Sequence, residues 1–219
     1  MSSAPQRRQT WSAGSGTGRL AINQLQQQDL LDEAAVDRFL ASHGVPIVEG
    51  RHCTFLFRGE ADEVHLAQRI LGLPGRLPMR RTAGTTLWYI VLEVPEGSRI
   101  NYQIEVRRGD HVERFNDPQN PKLSHSPFGA ISVCFTSGYI TPEWTFPDDD
   151  APPGELTELV VASRALQRDC SVTMYLPARF RRTESYPLLV VHDGGEFLQY
   201  AAMKAVSYTH LTLPTILLV

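Results

Sequence analysis

Apolar residues change their spacing twice along this chain, and the first change marks a helix. Between Leu20 and Leu40 they recur at roughly helical intervals, which predicts one amphipathic helix over about 29–42. Asp29 or Asp32 is placed to cap this helix at its amino end. The preceding residues are rich in Ser, Gly, Gln and Arg and have too little apolar surface to offset the cost of ordering them, so a disordered tail is expected there.

From residue 45 to residue 135 the apolar positions alternate with a period of two, which indicates β-strands. The predicted strands are 53–57, 64–67, 85–94, 100–106, 111–115 and 130–135. The sequences Pro-Glu-Gly and Arg-Gly-Asp between neighbouring strands are turn signals. Several short strands joined by such turns predict an antiparallel sandwich.

Trp88 shares its strand face with Ile90 and Leu92, which predicts that its ring lies in the core of the sandwich. The alternative is an exposed aromatic platform on which a sugar ring stacks.

The pattern changes again after residue 140. Residues 141–154 carry four prolines and three consecutive aspartates, which predicts an interdomain linker. The segments 155–163 and 171–176 are predicted to form an antiparallel pair of strands. The apolar run 188–191 is typical of a strand buried on both faces of a sheet, and it ends at His-Asp-Gly-Gly, residues 192–195.

Composition narrows the function classes. The chain has 219 residues, 42% of them hydrophobic and 21% charged, which is ordinary for a soluble globular protein. Its net charge of -3 favours neither a nucleic-acid partner nor an anionic membrane. The basic pair Arg7 and Arg8 is not followed by an apolar segment, and no apolar run is as long as a membrane helix, so a cytoplasmic location is expected.

Metal-binding and redox motifs are not indicated by the spacing of cysteines and histidines. The three cysteines, Cys53, Cys134 and Cys170, are far apart in sequence and are expected to be buried, reduced thiols. Four histidines lack metal-ligand spacing: His52, His65, His111 and His125. The sequence makes no prediction about the oligomeric state.

Two groups of motifs carry a resemblance to known families. L-W-Y at 87–89, I-N-Y-Q-I at 100–104 and N-D-P-Q-N-P at 116–121 resemble the early-set, immunoglobulin-like sandwich, related to glycogen-binding modules, that precedes some esterase domains. V-T-M-Y-L-P at 172–177 and Y-P-L-L-V-V-H-D-G-G-E-F at 186–197 resemble the start of the esterase family that includes enterochelin esterase and esterase D. The resemblance implies a β-sandwich followed by the first strands of an α/β-hydrolase sheet.

That resemblance implies a serine carboxyl-ester hydrolase that acts through an acyl-enzyme on a small-molecule ester, with neither metal nor organic cofactor. The loop after the apolar strand of such enzymes donates a backbone N–H to the oxyanion hole, so Gly194 and Gly195 are the candidate donors. His192 and Asp193 would shape this loop. The alternative interpretation of the glycine pair is a simple strand-ending turn.

No stretch of the chain has the form Gly-x-Ser-x-Gly, and the serine, acid and histidine of a triad cannot be assigned to it. We therefore expect a fragment of an esterase that is inactive by itself. The rival hypothesis is a carbohydrate-binding sandwich module without catalysis.

The last residues change character within a predicted helix that opens at 197–205. V-S-Y-T-H-L-T-L-P-T at 206–215 resembles the in-frame translation of a sequencing adapter, so residues 206–219 are expected to be non-native. A natural β-rich segment is the alternative. The predicted segments are a disordered tail (1–18), a helix (19–44), an early-set sandwich (45–140), a linker (141–154), an incomplete α/β-hydrolase domain (155–205) and the non-native tail (206–219).

Overall fold

The computed structural model describes residues 20–70, 72–146, 154–178, 180–201, 203 and 216–218. Two compact units make up the chain: Met1–His125 with Gly129–Ile140, and Ser126–Phe128 with Thr141–Val219. The predicted disordered tail, half of the predicted linker and most of the predicted non-native tail lie outside the described residues. The expectation of a β-rich chain with antiparallel sheets is confirmed.

The first unit contains two helices and ten strands within its described residues. In chain order they are α1 (Ala21–Gln26), α2 (Glu33–Ser42), β1 (Ile47–Glu49), β2 (His52–Arg58), β3 (Glu63–Gln68), β4 (Arg76–Pro78), β5 (Arg80–Arg81), β6 (Leu87–Glu93), β7 (Arg99–Arg108), β8 (His111–Phe115), β9 (Leu123–Ser126) and β10 (Gly129–Phe135). One sheet has the order β1-β2-β6-β5, and the other has the order β4-β3-β7-β10-β9 with β8 also paired to β7.

These two sheets share one apolar core. In the first sheet, Phe55 pairs with Ile90 and Phe57 with Trp88, so their side chains fall on the same face. That face packs with residues of the second sheet, including the fully buried Tyr102. The fully buried rings of Phe55 and Tyr102 meet edge to face, with their centroids 4.7 Å apart.

The opposite face of the first sheet is covered by the helices, so this sheet is buried on both sides. Leu56 and Val91 point away from the core between the sheets and pack against apolar residues of both helices. The side chain of Asp32 caps α2 by accepting a hydrogen bond of 2.8 Å from the Ala35 N–H. Glu33, the first residue of α2, accepts hydrogen bonds from the Arg58 guanidinium at 2.9 Å and the Thr86 N–H at 2.6 Å, which attaches the helix to the sheet.

The amphipathic helix predicted over about 29–42 forms as α2 (Glu33–Ser42), but the wider segment assigned to one helix, 19–44, contains two helices. The chain forms α1 and α2 with a break at 27–32, and Asp32, rather than Asp29, is the residue that caps α2. Leu20, Ile22 and Leu25 continue the apolar spacing of α2, but they reach the same surface of the sheet from a separate helix. Periodicity alone does not show where a helix is interrupted.

The second unit contains one 3₁₀ turn, one α-helix and four strands in its described residues. These are the 3₁₀ turn Glu143–Thr145, β11 (Glu155–Ser163), β12 (Arg168–Leu176), β13 (Leu189–Val191), α3 (Gly194–Tyr200) and β14 (Ile216–Leu218). The sheet order is β11-β12-β14-β13, in which β13 and β14 are parallel and the other pairs are antiparallel. The 3₁₀ turn lies within the predicted linker. Strand β14 lies within the predicted non-native tail, whose origin stays a prediction.

The expectation that 188–191 is buried on both faces is wrong. Leu188 is 61% exposed and Val190 is 46% exposed, although β13 forms where the sequence predicts a strand. An apolar run marks a strand that can be buried, but its burial depends on the elements that cover the sheet. Among the described residues of this unit, the small apolar cluster around Tyr175 is the only core that forms, and it includes Val191.

Candidate functional site

The candidate site is a sharp connection from strand β13 to helix α3. Two residues, His192 and Asp193, join them. Asp193 has a left-handed backbone with φ 57° and ψ 36°, a conformation that costs energy for residues with a Cβ but is more accessible to aspartate than to most. Its carbonyl oxygen accepts hydrogen bonds from the Glu196 N–H at 3.0 Å and the Phe197 N–H at 3.2 Å, which begins the helix.

The sequence offered a turn made by the two glycines as one interpretation. In the structure, Gly194 and Gly195 are instead the first two residues of α3. Asp193 makes the turn, and the predicted helix opening at 197 lies three residues too late. The first N–H groups of any helix have no partner within that helix, and the helix dipole makes this end electropositive. Gly194 is buried and Gly195 is exposed, with no atom within 4 Å of a Cβ added to Gly195.

The side chains of His192 and Asp193 are exposed, and Asp193 makes no capping hydrogen bond through its carboxylate. Asp193 can therefore shape the loop only through its backbone, which makes the left-handed turn and whose carbonyl oxygen accepts the first hydrogen bonds of α3. His192 occupies the first position after β13. The four site residues named from the sequence stand together in one turn, which offers hydrogen-bond donors but no nucleophile.

A small apolar cluster holds the turn against the sheet. Tyr175 of β12 is 3% exposed and packs with Val191 at the end of β13, with Leu198 of α3 and with Met203. Because residues on both sides of the turn contact the same ring, the cluster fixes the direction in which α3 leaves the strand.

No three His, Cys, Asp or Glu side chains among the described residues are grouped as a metal ion would require. The longest helix of the described residues, α2, has ten residues, whereas a helix that crosses a bilayer needs about 20.

The sequence did not reveal a buried polar network beneath the 116–121 loop. The Tyr102 hydroxyl donates to Asp117 Oδ2 at 2.7 Å, and Asn120 Nδ2 donates to the Tyr102 hydroxyl at 3.0 Å and to the Val133 carbonyl at 2.9 Å. Asp117 Oδ1 accepts from the Gln119 N–H at 2.9 Å. Burial raises the pKa of Tyr102 and the Asp117 carboxylate adds to this, so the hydroxyl stays a donor. The N-D-P-Q-N-P motif was the only sign of this network in the sequence. In the structure, its Asp117 and Asn120 anchor the 116–121 loop.

Replacing Tyr102 by phenylalanine should lower the free energy of unfolding by about 1–3 kcal/mol at neutral pH and by less near pH 4. Burial raises the pKa of Asp117 above the value of about 3.9 in unfolded chains, and the hydrogen bond from Tyr102 opposes this. A carboxyl whose pKa is raised on folding contributes stability that is fully present below the unfolded pKa and is lost as pH rises through the folded pKa. Removing the Tyr102 hydroxyl raises the pKa of Asp117 in the folded protein further. The loss in the free energy of unfolding therefore grows as the pH rises.

Urea denaturation of both proteins at acidic and neutral pH measures this difference. A destabilisation that is equal at the two pH values would show that the Tyr102 hydroxyl does not stabilise the Asp117 carboxylate.

Trp88 lies in the core between the two sheets and is only 7% exposed. Its indole N–H donates to the Gly59 carbonyl at 3.1 Å. The core position predicted from its alternating neighbours is confirmed, and its ring offers no exposed platform for a sugar.

Comparison with known proteins links the fold to esterases. No protein-family model matches the chain, and no curated protein matches it. Among solved structures, enterochelin esterase from Shigella flexneri has a TM-score of 0.55 at 17% identity and covers 83% of this chain. Ferric enterobactin esterase from Salmonella typhimurium has a TM-score of 0.54 at 17% identity and covers 76% of this chain. This chain spans 56% and 52% of those two proteins, respectively. At such identities the likeness shows a shared fold alone.

Proposed function

We propose that this chain is the N-terminal part of a serine carboxyl-ester hydrolase similar to the enterochelin esterases. The observation that carries the proposal is the shared fold, which extends over 83% of the chain and therefore includes both units. In this proposal the first unit is an early-set, immunoglobulin-like sandwich and the second is the start of an α/β-hydrolase sheet. Two facing antiparallel sheets and a strand that leads directly into a helix support these assignments.

Within this proposal, the backbone N–H of Gly194 or of Gly195 binds the oxygen that becomes negative when a serine hydroxyl attacks the ester carbonyl. Such donors stabilise the tetrahedral intermediate more than the substrate, and they do so without reorganising. The position of both amides in the first turn of α3 supports the assignment, because they are unpaired within the helix and at its electropositive end. The serine, the acid and the histidine would be supplied by residues beyond this sequence.

The proposed substrate is a small-molecule ester. The Shigella flexneri enterobactin esterase has been crystallised in the presence of enterobactin and of 2,3-dihydroxy-N-benzoyl-serine. A siderophore-type ester is therefore one candidate for this protein, and a small acyl or sugar ester is another. The aromatic ring proposed for carbohydrate binding, Trp88, is buried and so does not support that alternative.

We expect the 219-residue chain alone to hydrolyse a chromogenic acetate ester no faster than background, because it contains no Gly-x-Ser-x-Gly sequence. Steady-state assays over a range of protein concentrations measure this. The matched positive control is the protein encoded by the complete gene, tested with the same ester and a serine-directed inhibitor. Turnover by the short chain that is proportional to its concentration and abolished by the inhibitor would contradict the proposal.

The complete reading frame gives an independent test. We expect it to encode a serine at a tight bend between a strand and a helix, downstream of residue 205, and to differ from this chain over 206–219. An encoded Val206–Val219 segment would overturn the assignment of a non-native tail. The absence of such a serine would overturn the hydrolase itself.

A further inference from the structure

A cavity of about 440 Å³ lies within the first unit. Residues from the end of α2 to β1, the edge strand of the first sheet, form one part of its lining. The 119–122 loop and β10 of the second sheet form the other part. Small-molecule sites in proteins have volumes of about 300–1,000 Å³, so the cavity is large enough to hold a ligand.

Most of the lining is apolar. Its aliphatic, proline and aromatic residues include Leu40, Val45, Pro46, Val48, Val133 and Phe135. Such a lining favours a ligand that has an apolar body, because both surfaces lose their contact with water. Cys134 also lines the cavity. It and Cys53 are buried as the sequence predicted, but the expectation is wrong for Cys170 on β12, which is half-buried.

The charged and polar side chains of the lining favour an anion. Lys122 and His43 are its basic residues, and none of the described residues that line it is acidic. The Lys122 ammonium lies 5.9 Å from the centroid of the Phe135 ring and has no carboxylate partner among the described residues. The oxygen of the Gln119 side-chain amide is buried without a hydrogen-bond partner, so its NH₂ group is the end that a ligand can meet.

The loop that carries Lys122 is fixed by its own hydrogen bonds. The Lys122 N–H donates to Asn120 Oδ1 at 3.0 Å, and its carbonyl oxygen accepts from the Val133 N–H at 3.0 Å. Asn120 is 4% exposed, and its Nδ2 donates to the Tyr102 hydroxyl and the Val133 carbonyl. The backbone at residue 122 is therefore held against β10 before a ligand arrives, which reduces the entropy lost on binding.

We propose that this cavity binds a small-molecule monocarboxylate with an apolar body. The carboxylate accepts hydrogen bonds from the Lys122 ammonium and the Gln119 NH₂ group, and the apolar body lies against residues such as Val48 and Phe135. One ammonium matches one negative charge, whereas a phosphate monoester carries up to two and needs more donors. This inference does not depend on ester hydrolysis.

The first test is isothermal titration calorimetry of the 219-residue protein with octanoate. Two matched ligands separate the two halves of the site: 1-octanol keeps the apolar body without the charge, and acetate keeps the carboxylate without the body. We expect octanoate to bind at one site per chain, and 1-octanol to bind about 5–10-fold more weakly, the effect of losing one partly exposed charge-assisted hydrogen bond. Acetate should give no measurable binding.

Variants of two lining residues locate the site. Lys122 is exposed, so Lys122→Met should fold normally, weaken octanoate binding about 5–10-fold and leave 1-octanol binding unchanged. Lys122→Arg keeps the charge and should bind octanoate within about twofold of the unmodified protein. Val48→Phe places a larger side chain in the lining and should weaken both ligands, with circular dichroism to establish that it folds.

Several outcomes would overturn the proposal. The first is that octanoate does not bind, or that it binds at many sites with the same affinity in Lys122→Met. The second is that acetate binds as tightly as octanoate, because the apolar lining then contributes nothing. The third is that Lys122→Met weakens octanoate and 1-octanol equally, because the ammonium then does not recognise the carboxylate. The fourth is that a folded Val48→Phe protein binds octanoate unchanged, which would place the ligand outside the cavity.

Discussion

In the full-length hydrolase that we propose, replacing Gly195 by proline is expected to lower kcat by about 10²–10³-fold with little change in KM, the typical effect of removing one oxyanion-hole donor. Proline has no backbone N–H, so the substitution removes the proposed donor itself. Proline is tolerated in the first turn of a helix, where the N–H has no partner within the helix. Steady-state kinetics on a chromogenic ester, with circular dichroism to establish folding, measure the effect.

The matched control is Gly195→Ala, which keeps the N–H. No atom lies within 4 Å of the added Cβ, so we expect a change in the barrier of less than about 0.5 kcal/mol, or roughly twofold in kcat. If the proline and alanine variants of Gly195 have the same kcat, residue 195 is not a donor. An equal and large loss in both would instead indicate a requirement for glycine that is unrelated to the amide.

Replacing Trp88 by alanine should lower the free energy of unfolding by about 3–5 kcal/mol, the usual cost of removing a large aromatic side chain from a core. The ring is 7% exposed, packs between the two sheets, and has the Arg81 guanidinium 5.9 Å from its centroid. Its removal leaves a cavity and an unpaired Gly59 carbonyl. Urea denaturation measures the loss, and Trp88→Phe, which keeps most of the apolar volume, should lose less.

An exposed aromatic residue provides the contrasting control. Phe128 is 98% exposed, so Phe128→Ala should change the stability by less than about 0.5 kcal/mol. The same pair of variants tests the rival carbohydrate-binding function on insoluble glucans. A Trp88→Ala protein of unchanged stability that no longer binds glucan would favour that rival and contradict the core position.

Local signals in the sequence predicted the long strands and tight turns well. The alternation at 53–57 and 100–106 gave strands that extend only one or two residues further at each end in the structure. The turns at Gly97 and Gly109 have φ 73° and 57°, a conformation that glycine adopts easily, so the glycines themselves marked the turns. These features depend on neighbouring residues, which are visible in the sequence.

Features that depend on distant residues were missed. Strand β5 consists of Arg80 and Arg81, which have no apolar period and form a strand only because β6 is alongside them. At the candidate site, the motif identified the turn, but the residue with the left-handed backbone is Asp193 and not one of the two glycines that follow it. An aspartate in a sequence does not indicate a left-handed backbone, because most aspartates adopt ordinary backbone conformations.

The two helices that cover the first sheet belong to the shortest stretch of chain that can fold as the first unit by itself. Leu56, Leu87 and Val91 owe their burial to α1 and α2 and not to the opposing sheet. A version trimmed to the strands alone would display this apolar face to water, where it invites association between molecules. Any boundary chosen for isolating the unit therefore belongs ahead of Leu20, even though the predicted sandwich begins at residue 45.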